Sequence, residues 1–203
     1  MKSKKFSGWT LLLFFAIGFI LPTILSLYVS PRRLAATGPI SLVENAAASQ
    51  IPAISGLPSH LRIPAIDVDS IVEYVSLTID GVMDIPEDPA DVGWFEPGPR
   101  PGGEGSAVIA GHYGWKDGIP AVFDNLNKLR RGDKIYVEDD TGTVITFIVR
   151  ELKVYGKDDD ASDVFRSNDG IAHLNLITCE GVWNKALQGY SQRLVVFTDR
   201  QAD

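Results

Sequence analysis

With a single cysteine, Cys179, among 203 residues, the chain cannot close a disulfide on itself. That excludes the small disulfide-stapled scaffolds. The lack of any paired-cysteine spacing excludes the cysteine-rich zinc folds. Basic residues are in deficit, since 19 Lys and Arg against 26 Asp and Glu leave a formal charge of -7. A nucleic-acid partner needs a basic face, so that class is excluded too. Histidine is scarce: His60, His112 and His173 are the whole supply. No internal repeat is present, so a solenoid or a propeller is not expected.

What is present begins with a membrane signal. Lys2, Lys4 and Lys5 precede an uncharged, mostly apolar stretch from Trp9 to Val29. As a helix it would be about 30 Å long, enough to cross the hydrocarbon core once. The lysines favour an inside start, against the weaker opposing bias of Arg32 and Arg33. No small-x-small cleavage site follows, and Pro22 is tolerated in a membrane helix. Residues 1–30 are therefore expected to be a cytoplasmic start and one uncleaved signal-anchor, with a cleaved signal peptide as the alternative. Residues 31–59, rich in Ala, Ser, Pro and Gly, read as a flexible extracellular tether. Residues 60–203 then form one domain with one core.

That domain reads as mainly β. Short runs rich in Val, Ile, Phe and Tyr alternate with Pro, Gly and Asp clusters. Strands are expected at Leu61–Ile66, Ile71–Thr78, Ser106–Gly111, Lys134–Val137, Val144–Val154, Ala172–Thr178 and Arg193–Thr198. Ile119–Leu129 could hold a short helix and Ala161–Arg166 one turn. Many short strands with few helices favour a barrel or a sandwich, and a barrel leaves no open edge.

Outside the cell an unpaired thiol either bonds another chain or stays free. Cys179 closes the run His173-Leu174-Asn175-Leu176-Ile177-Thr178-Cys179, with Glu180-Gly181 expected to open a loop. Alternation puts Leu174, Leu176 and Thr178 on one face and Asn175, Ile177 and Cys179 on the other. Two readings stand on these residues alone: a buried structural cysteine and a nucleophile at an accessible strand end. A nucleophilic thiolate needs a proton acceptor or a cation. His60 belongs to the tether boundary. His173 shares the cysteine's strand and lies about 20 Å away. His112 also stands where a strand meets a loop, after Gly111, which leaves room for close backbone approach. It is the natural partner. Arg193 opens the strand Leu194-Val195-Val196-Phe197, and an antiparallel pairing would set it beside Cys179, where a guanidinium can hold a developing oxyanion.

Ala110-Gly111-His112, Asn175-Leu176-Ile177-Thr178-Cys179 and Gln192-Arg193-Leu194-Val195-Val196, in that order, resemble the sortases, cysteine transpeptidases of bacterial membranes. Leu61-Arg62-Ile63-Pro64-Ala65-Ile66, Gly93-Trp94-Phe95 and Gly118-Ile119-Pro120-Ala121-Val122-Phe123 extend the resemblance from His60 to Thr198. Met83–Pro86, Gly93-Trp94-Phe95, Pro101-Gly102 and Leu176–Cys179 look most like class F, with classes D and E as alternatives. The resemblance implies a closed β-barrel of about eight strands with one or two short helices. It implies Cys179 as nucleophile, His112 as acid and base, and Arg193 as oxyanion holder. Gly111, Thr178 and Ile177 are the expected substrate-binding or supporting residues. Partners would be surface proteins with a C-terminal L-P-x-T-G-like signal and an amine acceptor, a cell-wall precursor or a pilin lysine. No cofactor is implied. Asn175, where the motif usually begins with Thr, and Glu180, a carboxylate beside the thiol, depart from the pattern.

Other readings remain open at this level. A Cys/His peptidase would release its product to water, and a surface binding module would make no use of the thiol. Peptidoglycan L,D-transpeptidases hold His and Cys close on one segment, unlike this chain. Asp158-Asp159-Asp160, Asp163 and Asp169 read as a solvated acidic loop, with a calcium site as the alternative. Leu34-Ala35-Ala36-Thr37-Gly38, a chance match in an Ala-rich linker or a tethered pseudosubstrate, resembles a sorting signal in the chain's own tether.

Overall fold

A computed structural model of the chain describes residues 56–114, 118–185 and 189–202. The apolar stretch 9–29, the tether up to residue 55 and the Leu34–Gly38 run lie outside the described residues. Among the described residues no helix is long and apolar enough to cross a membrane.

Eight strands close into a barrel in the order β1-β2-β3-β4-β7-β8-β6-β5. They are β1 (Pro58–Ile63), β2 (Val68–Val75), β3 (Val92–Phe95), β4 (Gly105–Gly111), β5 (Lys134–Asp139), β6 (Val144–Gly156), β7 (Ala172–Asn184) and β8 (Gly189–Arg200). Closure comes from β1, which pairs antiparallel with both β2 and β5. Two neighbouring pairs run parallel, β2 with β3 and β4 with β7, so long connections must cross between them. Those connections, 76–91 and 112–171, frame the site.

Side chains alternating inward from the strands fill the barrel: Leu61, Ile63, Ile109, Phe147, Leu174, Leu176 and Val196 are all fully buried, joined by Phe123 from the loop after β4. A second apolar cluster sits outside the wall. Val108, Tyr155, Val164, Val195 and Phe197 form it, with Met83, Phe95, Ala161 and Ile177 packed against them. Its cover comes from α1 (Ser162–Phe165) in the β6–β7 connection and from the 76–91 segment. This second layer is why every residue of β4 is buried. A strand covered on both faces loses the in-and-out polarity of a half-buried one.

Four expectations change. The four-residue β3 has too short a run to stand out in sequence, although Gly93-Trp94-Phe95 lies within it. Ile119–Leu129 is not a helix; only Leu126–Lys128 makes a 3-10 turn. Asp124 explains this, because its carboxylate takes the backbone N–H groups of Gly114 and Ala121 and folds the segment on itself. β7 does not end at the cysteine: it runs on to Asn184, with an irregularity between Glu180 and Trp183 and Gly181 at φ +87°. His60 lies within β1, paired with Asp69 of β2. The single turn at Ala161–Arg166 is present as α1.

Candidate active site

β7 lies between β4 and β8, and the registers build the site row by row. On the outer face Val108, Asn175 and Phe197 form one row, and Ala110, Ile177 and Val195 the next. Cys179 pairs with Arg193, the next outward row. Continuing the β4 register two positions past Ala110–Ile177 sets His112 level with Cys179 on its other side. With strands about 4.8 Å apart, the three residues are lateral neighbours.

Each flank has its own anchor. Gly111 packs against Val122 and Phe123, whose side chains would stand 2.7 Å from any added Cβ. Glycine is therefore required for the strand to lie against that loop. Thr178, buried in the intervening row, donates its hydroxyl to the Gly111 carbonyl at 2.8 Å and clamps the end of β4 to β7. The His112 carbonyl accepts from Phe123 N at 3.0 Å. Its Nε2 lies 2.7 Å from the Pro86 carbonyl oxygen. On the other flank Arg193 is exposed, and its Nη1 donates to the carbonyls of Tyr190 and Gln192 at 3.2 and 2.9 Å.

The Cys179 thiol is half-buried and in no disulfide. Burial pushes its pKa above the ordinary thiol range, and the Arg193 guanidinium pulls it back. Glu180, one position on and so on the other face of β7, is not among the charges acting on the thiol.

The two directions away from the thiol differ. Along the outer rows the surroundings are apolar: Val195, Val108, Phe197 and Val164 are buried together, and Ile177, Met83 and Phe95 pack against them partly exposed. Ile177 is the partly exposed member of the row next to the thiol. Asn175 holds one wall, donating from Nδ2 to the Val164 carbonyl of α1 at 2.6 Å. In the other direction stands an aromatic stack. Tyr190 meets Tyr113 edge-on at 5.4 Å and Trp183 at 5.1 Å between ring centroids. Burial and the nearby Tyr113, Cys179 and Asp124 raise the Tyr190 phenol pKa. Trp183 and Tyr190 are register partners beyond the cysteine, and the run-on of β7 that joins them has no clear signal in a sequence broken by Glu180-Gly181. The Pro86 carbonyl has none at all, since any residue carries one.

The other candidates are placed elsewhere. His173 is buried between Asp199, 2.8 Å from Nδ1, and Asp169, 3.0 Å from Nε2. The loop carboxylates serve separate donors: Asp159 takes Gly156 N, Asp160 takes Ser162 N, and Asp163 takes Tyr155 Oη and Lys153 Nζ. Among the described residues no three His, Cys, Asp or Glu side chains converge as a metal site would require.

A family model for the sortase domain matches residues 61–201. Sortase C1 of Streptococcus agalactiae, in complex with MTSET, is 29% identical, superposes with a TM-score of 0.56, and is matched over 71% of this chain and 67% of that one. Sortase C-1 of Actinomyces oris is 26% identical, with a TM-score of 0.55 and coverage of 71% and 74%. A lid mutant of sortase A from Corynebacterium diphtheriae, 24% identical over 72% and 71% with a TM-score of 0.55, shares the fold. A comparison with curated protein sequences found no match. These relatives carry the class C and class A names, and the matches reach the family without reaching class F. The barrel, the order of its motifs and the domain match together place this chain in the sortase family of cysteine transpeptidases.

Proposed function

We propose that the chain is a membrane-anchored transpeptidase that cuts an L-P-x-T-G-like sorting signal between Thr and Gly and joins the Thr end to an amine. The observation that carries this is the outer row itself: the only thiol of the chain, with His112 just past the end of β4 on one side and Arg193 of β8 on the other. Cys179 as thiolate attacks the Thr carbonyl carbon, and Arg193 holds the oxyanion that forms. Collapse breaks the C–N bond, and His112 as imidazolium gives its proton to the departing Gly amine. A Thr thioester on Cys179 remains. An incoming amine, deprotonated by His112, attacks it, and the Cys179 thiolate leaves as the new amide forms. Water in the amine's place gives hydrolysis. Thr178 and Gly111 support the arrangement by fixing β4 to β7.

The apolar surroundings of the outer rows suit the Leu-Pro half of a signal, which places the leaving group and the incoming amine toward Tyr113, Tyr190 and Trp183. Sortases work at the cell surface, and residues 9–29 are the proposed single-pass anchor in a bacterial membrane. Class F is kept as the proposed subclass on Met83–Pro86, Gly93-Trp94-Phe95 and Pro101-Gly102. No cofactor enters these steps.

Intact mass of the full-length protein, mixed with L-P-x-T-G and L-A-x-T-G peptides with and without an added amine, tests this reading. A Thr-terminated adduct on wild type, absent from Cys179→Ala and passed on to the amine, is the expected result. An adduct lost only to water makes the chain a peptidase, and no adduct with either peptide removes the sorting-signal substrate.

A further inference from the structure

Beyond the row of His112, Cys179 and Arg193 the β7–β8 pair runs on, and three aromatic rings collect there. Tyr190 stands on β8 three residues before Arg193, paired with Trp183 of β7. Its hydroxyl ends over Gly114, two residues past His112, where a Cβ would collide with it. The side chain therefore reaches from the Arg193 flank to the His112 flank, across the line of β7 past Cys179. Cys179 and Asp124 are both among the charges felt by its phenol, so thiol and carboxylate lie within electrostatic reach of the ring. Tyr113 and Trp183 each meet Tyr190 edge-on. An edge-on contact occupies the face of at most one ring of a pair, and Trp183 keeps 45% of its surface exposed.

The face of an aromatic ring is the negative part of its quadrupole, and a cation over Trp or Tyr is held by it. Asp124 adds a negative field rather than a direct ion pair, since its two oxygens already accept from Gly114 N and Ala121 N at 2.8 and 3.0 Å. Arg193, the cation next to the stack, has Nη1 on the Tyr190 and Gln192 carbonyls. We propose that Tyr113, Tyr190 and Trp183 form the acceptor subsite, and that it takes the amine as a primary ammonium on an alkyl chain, the chemistry of a lysine side chain. The proposal rests on the transpeptidase reading and deepens its second step. An alkyl ammonium, with a pKa of about 10.4, is wholly charged near neutral pH, whereas a peptide α-ammonium, at about 7.7–8.0, is partly neutral. Ring faces favour the first. The ammonium releases one proton to solvent as it leaves the rings, and its nitrogen gives a second to His112 as it attacks the Thr thioester. The C–N bond forms, the C–S bond breaks and Cys179 leaves as thiolate. Water brings no charge for the rings to hold, so the subsite raises the share of acyl-enzyme that passes to an amine.

The test has two arms, both on the full-length protein. In the first, nitrogen-15 NMR follows the indole N–H signals, with Trp183→Phe identifying that of Trp183. Tetramethylammonium is added in one titration and tert-butanol, an uncharged molecule of similar size, in another. A saturable shift of the Trp183 signal with the cation and none with the alcohol is expected. In the second arm the Thr adduct is resolved by Nα-acetyl-lysine amide, by glycinamide and by hydroxylamine, which is uncharged near neutral pH. Trp183→Leu should raise the KM for the lysine amine, relative to that for hydroxylamine, by about 2–30-fold, and the glycinamide ratio by less. Trp183→Phe should recover most of the loss, and Tyr190→Leu should repeat it on the central ring. An unmoved Trp183 signal or an equal shift with tert-butanol overturns the subsite, as does a lysine-to-hydroxylamine ratio unchanged in both leucine variants. The titration needs no substrate. Cation binding with no adduct from a signal peptide therefore counts against the substrate reading alone, and an adduct without cation binding counts against this inference alone.

Discussion

His173 lies in β7 and His112 just past the end of the neighbouring β4, yet their surroundings differ. His173 lies at the start of β7, buried, with Asp169 and Asp199 on its two nitrogens and Arg150 Nη1 on Asp199 at 3.2 Å. His112 follows the end of β4, half-buried, with a neutral carbonyl on Nε2. Two carboxylates fix a ring in place. The Pro86 carbonyl helps orient the other. The first environment suits a strut that pins the β6–β7 loop to β7 and β8, and the second a group that must change its proton count in each turnover.

Exchanging the roles gives the largest expected effects. His112→Ala should cut Thr-adduct formation by about 10²–10⁴-fold with little change in melting temperature. His173→Ala should do the reverse. It leaves Asp169 and Asp199 facing a void and should lower the melting temperature by several degrees, while active folded enzyme keeps most of its rate. Adduct yield and thermal unfolding on the two variants decide it. If His173→Ala loses as much rate at full stability, the contrast between strut and acid–base group fails.

Arg193→Ala comes next, with an expected loss of about 10²–10³-fold in adduct formation. It also has a signature in the free thiol. Burial raises the Cys179 pKa and Arg193 lowers it, so removing the cation should raise it further. Cys179 alkylation by iodoacetamide, followed against pH, should move to higher pH in the variant, with less thiolate at any fixed pH below the midpoint. An unmoved alkylation curve would show that the guanidinium does not act on the thiol.

The strut has its own pH dependence. Asp169 is held well below the usual carboxylate range, first by Ile171 N–H, then by the Ser167 hydroxyl and His173. A depressed carboxyl contributes stability above its unfolded pKa near 3.8 and loses it as pH falls through the folded value. Asp169→Asn should therefore lower the melting temperature by about 2–4 °C near neutral pH, with the gap to wild type closing in strong acid. A gap that stays constant down to the acid limit would mean that charge is not what Asp169 contributes.

How much of this could be read from the chain depended on scale. Cys179, His112 and Arg193 stood out because each closes or opens an apolar run, and an antiparallel pairing of β7 with β8 was enough to make Arg193 a neighbour of Cys179, whereas the parallel pairing of β4 with β7 that sets His112 level with the thiol was not read from the sequence. What could not be read was set by contacts made outside the strands. β4 and the first half of β7 are buried on both faces because α1 and the 76–91 hairpin cover them, and alternation alone cannot announce a second layer. The irregular Ile119–Leu129 follows from where one carboxylate, Asp124, found its donors. The Pro86 carbonyl beside His112 is a backbone group, to which sequence is blind.

Asn175 gives the smallest expected effect and the finest division between the two ends of β7. It replaces the Thr with which the cysteine motif usually begins, and it lies four residues before the thiol, one row beyond Ile177. Its Nδ2 holds the Val164 carbonyl at 2.6 Å, and its Oδ1 is buried with no hydrogen-bond partner among the described residues. Thr is shorter and has no amide to reach α1, so Asn175→Thr frees α1 and takes the donor from the Val164 carbonyl, while it exchanges an unpaired amide oxygen for a hydroxyl that can itself donate. The two effects oppose each other in stability and leave the melting temperature nearly unchanged. In binding they do not cancel, because only the wall meets the peptide. The expected result is a rise in KM of about 3–10-fold for a signal peptide at similar kcat, consistent with loss of about one hydrogen bond's worth of wall positioning. An equal fall in kcat with unchanged KM would instead place Asn175 among the groups that act on the transition state, and the division of β7 into a peptide-holding half and a reacting end would have to be redrawn.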